Sequence, residues 1–317
     1  MGFGVEQPSM VSPDRAAGIL LGLACGDALG RPVEGVPADS IESRYGHLDE
    51  LVGDGVHHQP PGTLTDDTDL ACCIARSLVA RGDFAPTDVA ERFVAWYEAG
   101  PIGMGRLTAD AVRNLQEGVD WDEAGRRVWR SRPEGENAGN GSVMRCAPYA
   151  VAFAGDPARL EAVSRESSAI THADPRCTAG CAVLNATIAT VLRGDADAVD
   201  ALRTARSQVD DVPDELAAVL NSVPRPRERC RTTAYVVDTL GTALSIGLTA
   251  DSAEKGIVDA VNLGGDTDTI GAVTGAVVGA RFGASDLPER WLSVLDRVDE
   301  LRELGEQLAA LDTPTTQ

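Results

Sequence analysis

Two short clusters of aspartate and threonine lie near opposite ends of the sequence. The first is TDDTD, Thr65 to Asp69, and the second is DTDT, Asp266 to Thr269, which opens an apolar, glycine-rich run. One such residue at a helix start is ordinary capping chemistry, and capping stays the alternative for either cluster alone. Each cluster, however, brings several carboxylates and hydroxyls together, and crowded like charges are unfavourable unless a cation offsets them. Oxygen donors without His or Cys favour Mg, Mn or Ca, and two ions if both clusters face one point.

Two further motifs could bind a ligand. In GNGSVMRCAP, Gly139 to Pro148, a glycine-rich turn leads into a predicted helix, and the backbone N–H groups of such a turn can bind phosphate. A plain loop is the alternative. In AITHADPRC, His172 follows Thr171 at a helix start, where it is either a ligand-binding residue or a packed or capping one.

Two glycine-rich helices are predicted to position these motifs. The segment from Ser12 has a potential N-cap followed by Pro13, and its glycines recur every fourth residue at Gly18, Gly22, Gly26 and Gly30. The second cluster continues with the same spacing at Gly271, Gly275 and Gly279. Bare faces of this kind predict a closely packed helix pair. If helices 14–29 and 268–281 are antiparallel, Asp27 and Glu34 lie beside Asp266 and Asp268.

The rest of the chain also has helical periodicity and no competing strand pattern. Further helices are predicted over 67–80, 86–99, 106–117, 142–154, 157–168, 173–192, 195–207, 232–247, 251–262 and 290–310. We therefore predict an all-α fold, a single compact multi-helix bundle over residues 12–311, with flexible tails at 1–11 and 312–317.

Charge and cysteine content limit the possible partners and location. The 49 acidic residues against 28 basic ones give a net charge of −21, and Lys255 is the only lysine. Such a surface repels phosphate backbones and anionic lipids, so we expect neither nonspecific nucleic-acid binding nor membrane binding. Acidic, lysine-poor composition is typical of halophilic proteins, with a GC-rich genome as the alternative. The seven cysteines include no CxxC pair, and the sequence shows neither a signal peptide nor an apolar run of about 20 residues. These features predict a cytoplasmic protein.

Five motifs together resemble one family. GLACGDALGRPVEG, TDDTDLA, GNGSVMRCAP, ITHADPRC and NLGGDTDTIGA occur in this order over nearly the whole chain. They resemble the ADP-ribosylglycohydrolase family, which includes the dinitrogenase reductase-activating glycohydrolase. The resemblance implies an all-α bundle with a binuclear Mg or Mn centre. It also implies hydrolysis of the glycosidic bond between ADP-ribose and an acceptor such as an arginine or serine side chain, in a protein or a smaller molecule.

The resemblance also assigns residues. It implies metal ligands at Thr65, Asp66, Asp67, Asp266, Asp268 and Thr269, and substrate contacts at Asn140, Gly141, Ser142, Met144 and His172. Glu34 would lie beside the ribose. We expect catalysis by Glu34, Asp67 and Asp268: Glu34, or a metal-bound water positioned by either aspartate, delivers the nucleophile near an oxocarbenium-like transition state.

One departure and two rival functions remain open. Many members have an acidic residue in the loop that here reads GPIGMGRLT, where Ile102, Gly103 and Met104 stand instead, so an arginine linkage is not implied. One rival is a noncatalytic ADP-ribose-binding or crystallin-like protein, from which loss of the metal aspartates is expected. The other is a metal-dependent nucleotide phosphohydrolase, whose product is AMP or phosphate.

Overall fold

The computed structural model describes residues 11–194 and 197–311. Within these residues the chain forms sixteen α-helices and no β-strand beyond three isolated bridges, which confirms the predicted all-α fold. The helices are α1 (Pro13–Gly30), α2 (Ala38–Tyr45), α3 (Asp66–Arg81), α4 (Pro86–Glu98), α5 (Arg106–Gln116), α6 (Trp121–Ser131), α7 (Pro148–Ala152), α8 (Pro157–Ala169), α9 (Pro175–Arg193), α10 (Ala198–Gln208), α11 (Asp214–Asn221), α12 (Val236–Thr249), α13 (Ala253–Val261), α14 (Thr267–Phe282), α15 (Glu289–Leu292) and α16 (Val298–Leu311).

The predicted tails fall almost entirely outside the described residues. Residues 1–10 and 312–317 are not among them, so no structure is assigned there. Val11, which the sequence analysis places in the first tail, is fully buried in the hydrophobic core. The packed part of the chain therefore includes this residue.

Helices α1 and α14 form an antiparallel pair at the centre of the fold. Glycines meet along the whole contact: a Cβ atom added to Gly22 would lie 2.3 Å from the carbonyl oxygen of Gly275, and one added to Gly26 would lie 2.0 Å from that of Gly271. Gly30, at the end of α1, meets the backbone of Thr267 at the start of α14. The predicted close packing of the two helices is confirmed, and their antiparallel orientation places the C-terminus of α1 beside the N-terminus of α14.

The first helix is also the one segment within the described residues that is long and apolar enough to cross a membrane. This stretch, Pro13–Val33, passes that test by length and composition, which corrects the expectation that every apolar run is too short. Its most apolar window is entirely buried inside the fold. The apolar character of α1 is thus accounted for by its central position among other helices.

Other helices pack around this pair and hold the site. Helices α3, α13 and α16 pack against α1, while α12 and α13 pack against α14. Helix α3 begins at Asp66 with Thr65 as its N-cap, whose hydroxyl oxygen accepts a bond from the backbone N–H of Asp67 at 3.4 Å. Both acidic clusters therefore lie at helix N-termini, where the helix dipole favours negative charge.

The predicted helix over 142–154 is wrong in its first half. Residues 141–145 form consecutive turns, and α7 begins only at Pro148. Both Val143 and Met144 donate backbone bonds to the carbonyl oxygen of Asn140, at 3.0 and 3.3 Å, which closes a tight turn there. Pro148 has no N–H group and is favoured at a helix start, so the helix begins there.

The predicted helix over 290–310 is interrupted, and three helices were not predicted. Between α15 and α16, Arg297 has a left-handed backbone with φ 57°, and Asp296 donates its N–H to the carbonyl oxygen of Gly62 at 3.1 Å. A non-glycine residue in this conformation stops a right-handed helix. Two of them, α2 and α11, have eight residues each, too few for a clear periodic pattern. The third is α6, which has eleven residues and also lies outside every predicted range.

Candidate active site and metal centre

The N-termini of α3 and α14 line one cavity of about 670 Å³. Asp66 and Asp67 enter it from α3, Asp266 and Asp268 come from α14, and Glu34 follows the end of α1. One carboxylate oxygen each of Glu34, Asp266 and Asp268 lie within 4.8 Å of one another. Two clusters that are distant in sequence therefore form one acidic site.

Burial raises the pKa of every aspartate in this cluster. The pKa of Asp66 rises to about 7 and that of Asp266 to about 6, while the pKa values of Asp67 and Asp268 rise well above their usual range. Loss of hydration is the largest cause in each case, and neighbouring carboxylates add to it. All four can be ionised together near neutral pH only if positive charge enters the cluster.

One oxygen in this cluster lacks a partner. Asp67 Oδ1 is buried and accepts no hydrogen bond within the described part of the chain. A buried carboxylate oxygen without a partner is unfavourable, so it indicates a missing ligand. The donors around it are carboxylates, together with the hydroxyl of Thr269, which also lines the cavity. Such an oxygen-only set fits a hard divalent cation.

The predicted ligand Thr65 lies beneath the cavity and is tied to α1. Its hydroxyl donates to Asp27 Oδ1 at 2.9 Å, and its backbone N–H donates to Asp27 Oδ2 at 3.0 Å. The hydroxyl of Thr68 also donates to Asp27 Oδ2, at 2.5 Å. Asp27 is fully buried, and burial raises its pKa to about 6 despite these bonds. Its carboxylate thus fixes the first turn of α3 relative to α1.

A glycine turn forms another part of the cavity wall and contacts Asp266 through Asn140. Gly139 pairs with Tyr235 in an isolated bridge, and Asn140 donates its backbone N–H to the carbonyl oxygen of Ala234 at 3.1 Å. No acceptor for the backbone N–H groups of Gly141 and Ser142 occurs among the described residues. Free N–H groups of a turn can bind an anion such as a phosphate group.

The predicted substrate residues of this turn have different environments. Gly141 and Met144 line the cavity, as does Asn140, whose amide donates to Thr239 and to the cavity carboxylate of Asp266. Ser142 does not line the cavity. Its hydroxyl is buried behind the turn and hydrogen-bonded to Ser168 at 2.9 Å. The side chain of Ser142 therefore supports the turn from behind and does not enter the cavity.

His172 lies against this turn and also lines the cavity. A Cβ atom added to Gly141 would lie 2.8 Å from His172 Cε1, so the ring occupies the space that a side chain at Gly141 would need. Burial is the largest cause lowering the pKa of His172, to about 3, and the charge of Arg145 adds to it. The ring is neutral near pH 7.

Comparison with known proteins agrees with this arrangement. The model of the ADP-ribosylglycohydrolase family matches residues 8–317. The chain belongs to the ADP-ribosylglycohydrolase family. It is accordingly an enzyme that hydrolyses ADP-ribose from an acceptor, which favours this function over the noncatalytic rival. All the carboxylates predicted as metal ligands are present in the cavity.

Named relatives and a solved structure cover most of this ADP-ribosylglycohydrolase. The ADP-ribosyl-[dinitrogen reductase] glycohydrolase of Rhodospirillum rubrum is 34% identical over 94% of this chain and 95% of its own length. The ADP-ribosylarginine hydrolase Tri1 of Serratia proteamaculans is 31% identical over 95% of this chain and 80% of its own. A solved ADP-ribosylglycohydrolase-related protein complex matches with a TM-score of 0.80 and 34% identity, covering 95% of this chain and 98% of the other.

In this ADP-ribosylglycohydrolase, the loop that carries His57 contains none of the sequence motifs but contributes to the cavity. His57 lines the cavity, with Nε2 3.4 Å from Glu34 Oε2. Arg31 is fully buried and holds this loop through bonds to the carbonyl oxygens of Asp54, Pro60 and Thr63, at 3.0, 3.0 and 3.2 Å. The position of Arg31 directly after an apolar helix is the one sequence feature that could have indicated this role. The sequence does not reveal the three carbonyl groups that it binds.

A second loop closes the cavity from the side of α5. Its Gly103 has a left-handed backbone with φ 67°, and a Cβ atom there would lie 3.0 Å from Asp66 Oδ1. Met104 and Arg106 also line the cavity, and Met104 is 36% exposed. This loop therefore lies against the carboxylate of Asp66 and brings an apolar and a cationic residue to the cavity.

Proposed function

We propose that this ADP-ribosylglycohydrolase uses two divalent cations, Mg or Mn, to release ADP-ribose from a modified protein side chain. The observation that carries the proposal is the cluster of buried carboxylates in one cavity, with Asp67 Oδ1 unpaired. Asp66 and Asp67 with Thr65 would bind from the side of α3, and Asp266, Asp268 and Thr269 from the side of α14. When bound, the cations supply positive charge that orients the ribose hydroxyls and favours loss of the acceptor.

The surrounding residues would then place the rest of the substrate. The free backbone N–H group of Gly141 would bind the diphosphate, and Met144 and His172 also line the cavity. The ribose bond would then break at the carboxylates, and the diphosphate would bind at the neighbouring turn, whose Asn140 contacts Asp266.

Glu34 is the cavity carboxylate that we propose acts directly on the ribose. Its side chain is 39% exposed, whereas Asp67 and Asp268 are buried, and one oxygen faces His57. Breaking the glycosidic bond creates an oxocarbenium-like centre, which a nearby carboxylate stabilises more than it stabilises the ground state. Glu34 is also placed to accept a proton from the attacking water.

The most specific part of this proposal is the chemical group to which ADP-ribose is linked. No carboxylate occurs between Gly100 and Arg106 in the loop beside the site, so an arginine acceptor would be left with Glu34 and Glu136, which also line the cavity. The names of two relatives point to arginine and to dinitrogen reductase. We therefore include a serine linkage, which needs no cation-binding carboxylate, beside arginine in the test.

The test is a panel of arginine-, serine- and glutamate-linked mono-ADP-ribosylated peptides, with identification of the product. We expect intact ADP-ribose from one linkage. Release of AMP or phosphate instead would support the nucleotide phosphohydrolase. Tight ADP-ribose binding without release from any peptide would contradict the proposed protein acceptor and favour a binder or a non-protein substrate.

We also propose a cytoplasmic, high-salt setting. The net charge of −21 supports it, as do the seven cysteines, none of which forms a disulfide. Activity should persist in molar potassium chloride. Maximal turnover at low salt together with inactivation at high salt would contradict the halophilic part.

A further inference from the structure

A buried cation lies behind the glycine turn. Arg145 is 1% exposed, and its guanidinium carbon lies 4.6 Å from the centre of the Phe93 ring. Within residues 11–194 and 197–311 it forms no ion pair with a carboxylate, and its Nη1 has no hydrogen-bond partner. Its one hydrogen bond there is from Nη2 to the hydroxyl oxygen of Thr171, at 2.7 Å. Because a guanidinium has no acceptor, the direction of this bond is certain.

The proton of the Thr171 hydroxyl has one acceptor in the described structure. The hydroxyl oxygen lies 2.7 Å from His172 Nδ1, and no backbone carbonyl accepts from it. If Nδ1–H donated to this oxygen, the hydroxyl proton would be left without an acceptor, so the hydroxyl proton points to His172 Nδ1. That ring nitrogen is then an acceptor, and the proton of the neutral ring is on Nε2.

The protonated ring nitrogen faces the ligand side. His172 Nε2 lies by the glycine turn, where a Cβ atom added to Gly141 would be 3.0 Å away, and the ring lines the cavity. Nε2 has no hydrogen-bond partner in the described residues. Burial and the charge of Arg145 lower the pKa of His172, so the ring does not act as a cationic acid near pH 7.

We propose that Arg145 and Thr171 are positioning residues, which hold His172 neutral with its proton on Nε2 so that it donates to an oxygen of the bound nucleotide sugar. The oxygen is a hydroxyl or a phosphoryl oxygen, both of which accept such a bond. This inference rests on the proposed function for the ligand, but the position of the proton is a property of the free protein. His172 is then a specificity residue that selects an acceptor atom at this point of the cavity.

Nitrogen NMR on the ligand-free protein tests the position of the proton. The chain has only four histidines, and a His172→Gln variant assigns the signals of His172. We expect a nitrogen of acceptor type at Nδ1 and a nitrogen of N–H type at Nε2 in the wild type. Thr171→Ser should keep this pattern, and Thr171→Val should lose it. An unchanged pattern in a folded Thr171→Val would overturn the inference, and so would a wild-type ring protonated on Nδ1, a result that does not depend on the folding of any variant.

Calorimetric titration with ADP-ribose tests the ligand part. Thr171→Val should weaken binding about tenfold and raise KM by a similar factor with little change in kcat, because an oriented hydrogen bond is lost. Thr171→Ser should restore the affinity. Thr187→Val is the matched control, since Thr187 is buried in α9 and its hydroxyl donates to the carbonyl oxygen of Val183. Equal affinities in Thr171→Val and the wild type would overturn this part, whereas no binding to the wild type would overturn the proposed function itself.

Discussion

The carboxylate of Asp27 in α1 accepts hydrogen bonds from both the hydroxyl and the backbone N–H of Thr65, the N-cap of α3. Both carboxylate oxygens are used by the first turn of α3. Asp27 therefore acts on the cavity through the residues that follow Thr65. Residues that orient ligating groups in this way affect metal affinity nearly as strongly as the ligands themselves.

We predict that Asp27→Asn weakens Mn²⁺ binding and lowers kcat/KM about 10- to 100-fold, because an amide cannot accept all of these bonds. Calorimetry with Mn²⁺ and hydrolysis rates measure the two effects. Asp156→Asn is the control, since Asp156 caps α8 through the N–H of Arg159 and does not line the cavity. Unchanged Mn²⁺ affinity in Asp27→Asn would contradict the positioning role.

Glu34→Gln should lower kcat about 100-fold and change the affinity for ADP-ribose little, since it removes a charge that acts mainly in the transition state. The control is Glu42→Gln, the same chemical change on the exposed face of α2. Our assignment of Glu34 is wrong if Glu34→Ala retains full turnover while Asp268→Ala abolishes it.

Gly26→Ala should lower the free energy of unfolding by about 3 kcal/mol, because the added Cβ atom meets the backbone of Gly271 and helices α1 and α14 must separate. Urea unfolding measures the change. Gly105→Ala, where no neighbouring atom lies within 4 Å of the added carbon, is expected to change stability far less. Equal stability of the two variants would show that the close approach is not required.

The metal-free protein should lose stability as pH rises from about 4 to about 7. Asp66 and Asp266 have pKa values raised to about 7 and about 6, so the folded state binds more protons than the unfolded state in this range. Below the unfolded-state pKa both carboxyl groups are protonated in either state, so folding does not bury a charge. Above the folded-state pKa both are ionised when folded, and the full free-energy cost of burying the charges is present. Urea unfolding in EDTA at several pH values measures the slope.

Two comparisons test whether this loss of stability with rising pH comes from the aspartate cluster. Asp66→Asn should show a smaller loss, and Mn²⁺ should stabilise the wild type most at the upper end of the range. A metal-free protein as stable at pH 7 as at pH 5, with no gain from Mn²⁺ or Mg²⁺, would contradict the account of the cluster.

The central helix pair and the acidic site were predictable because their signals are regular or repeated. Glycine at every fourth position defines one bare helix face, and antiparallel packing of two such faces brings Glu34 near Asp266 and Asp268. The contacts at the end of α1 follow from helix geometry alone. No further information about the rest of the fold was needed for this part.

The details that the sequence did not reveal depend on irregular backbone and distant partners. Ser142 turns away from the cavity because its hydroxyl is bonded to Ser168, and Asn140 is committed to Asp266. Arg31 finds three carbonyl acceptors in a loop without periodic pattern. Side-chain directions in turns are set by such long-range contacts, so motif spacing predicts which segments meet but not which atoms do.

The most direct test of the account is the rate of ADP-ribose release from a labelled peptide substrate by protein dialysed against EDTA and shown to be metal-free. Purified protein is compared before chelation, after it, and after addition of Mg²⁺ or Mn²⁺, with Asp67→Asn as a variant that lacks one proposed ligand. We predict loss of release after chelation, recovery with one of the two ions in the wild type, and little recovery in Asp67→Asn. Full release by the metal-free protein would contradict the proposed metal centre.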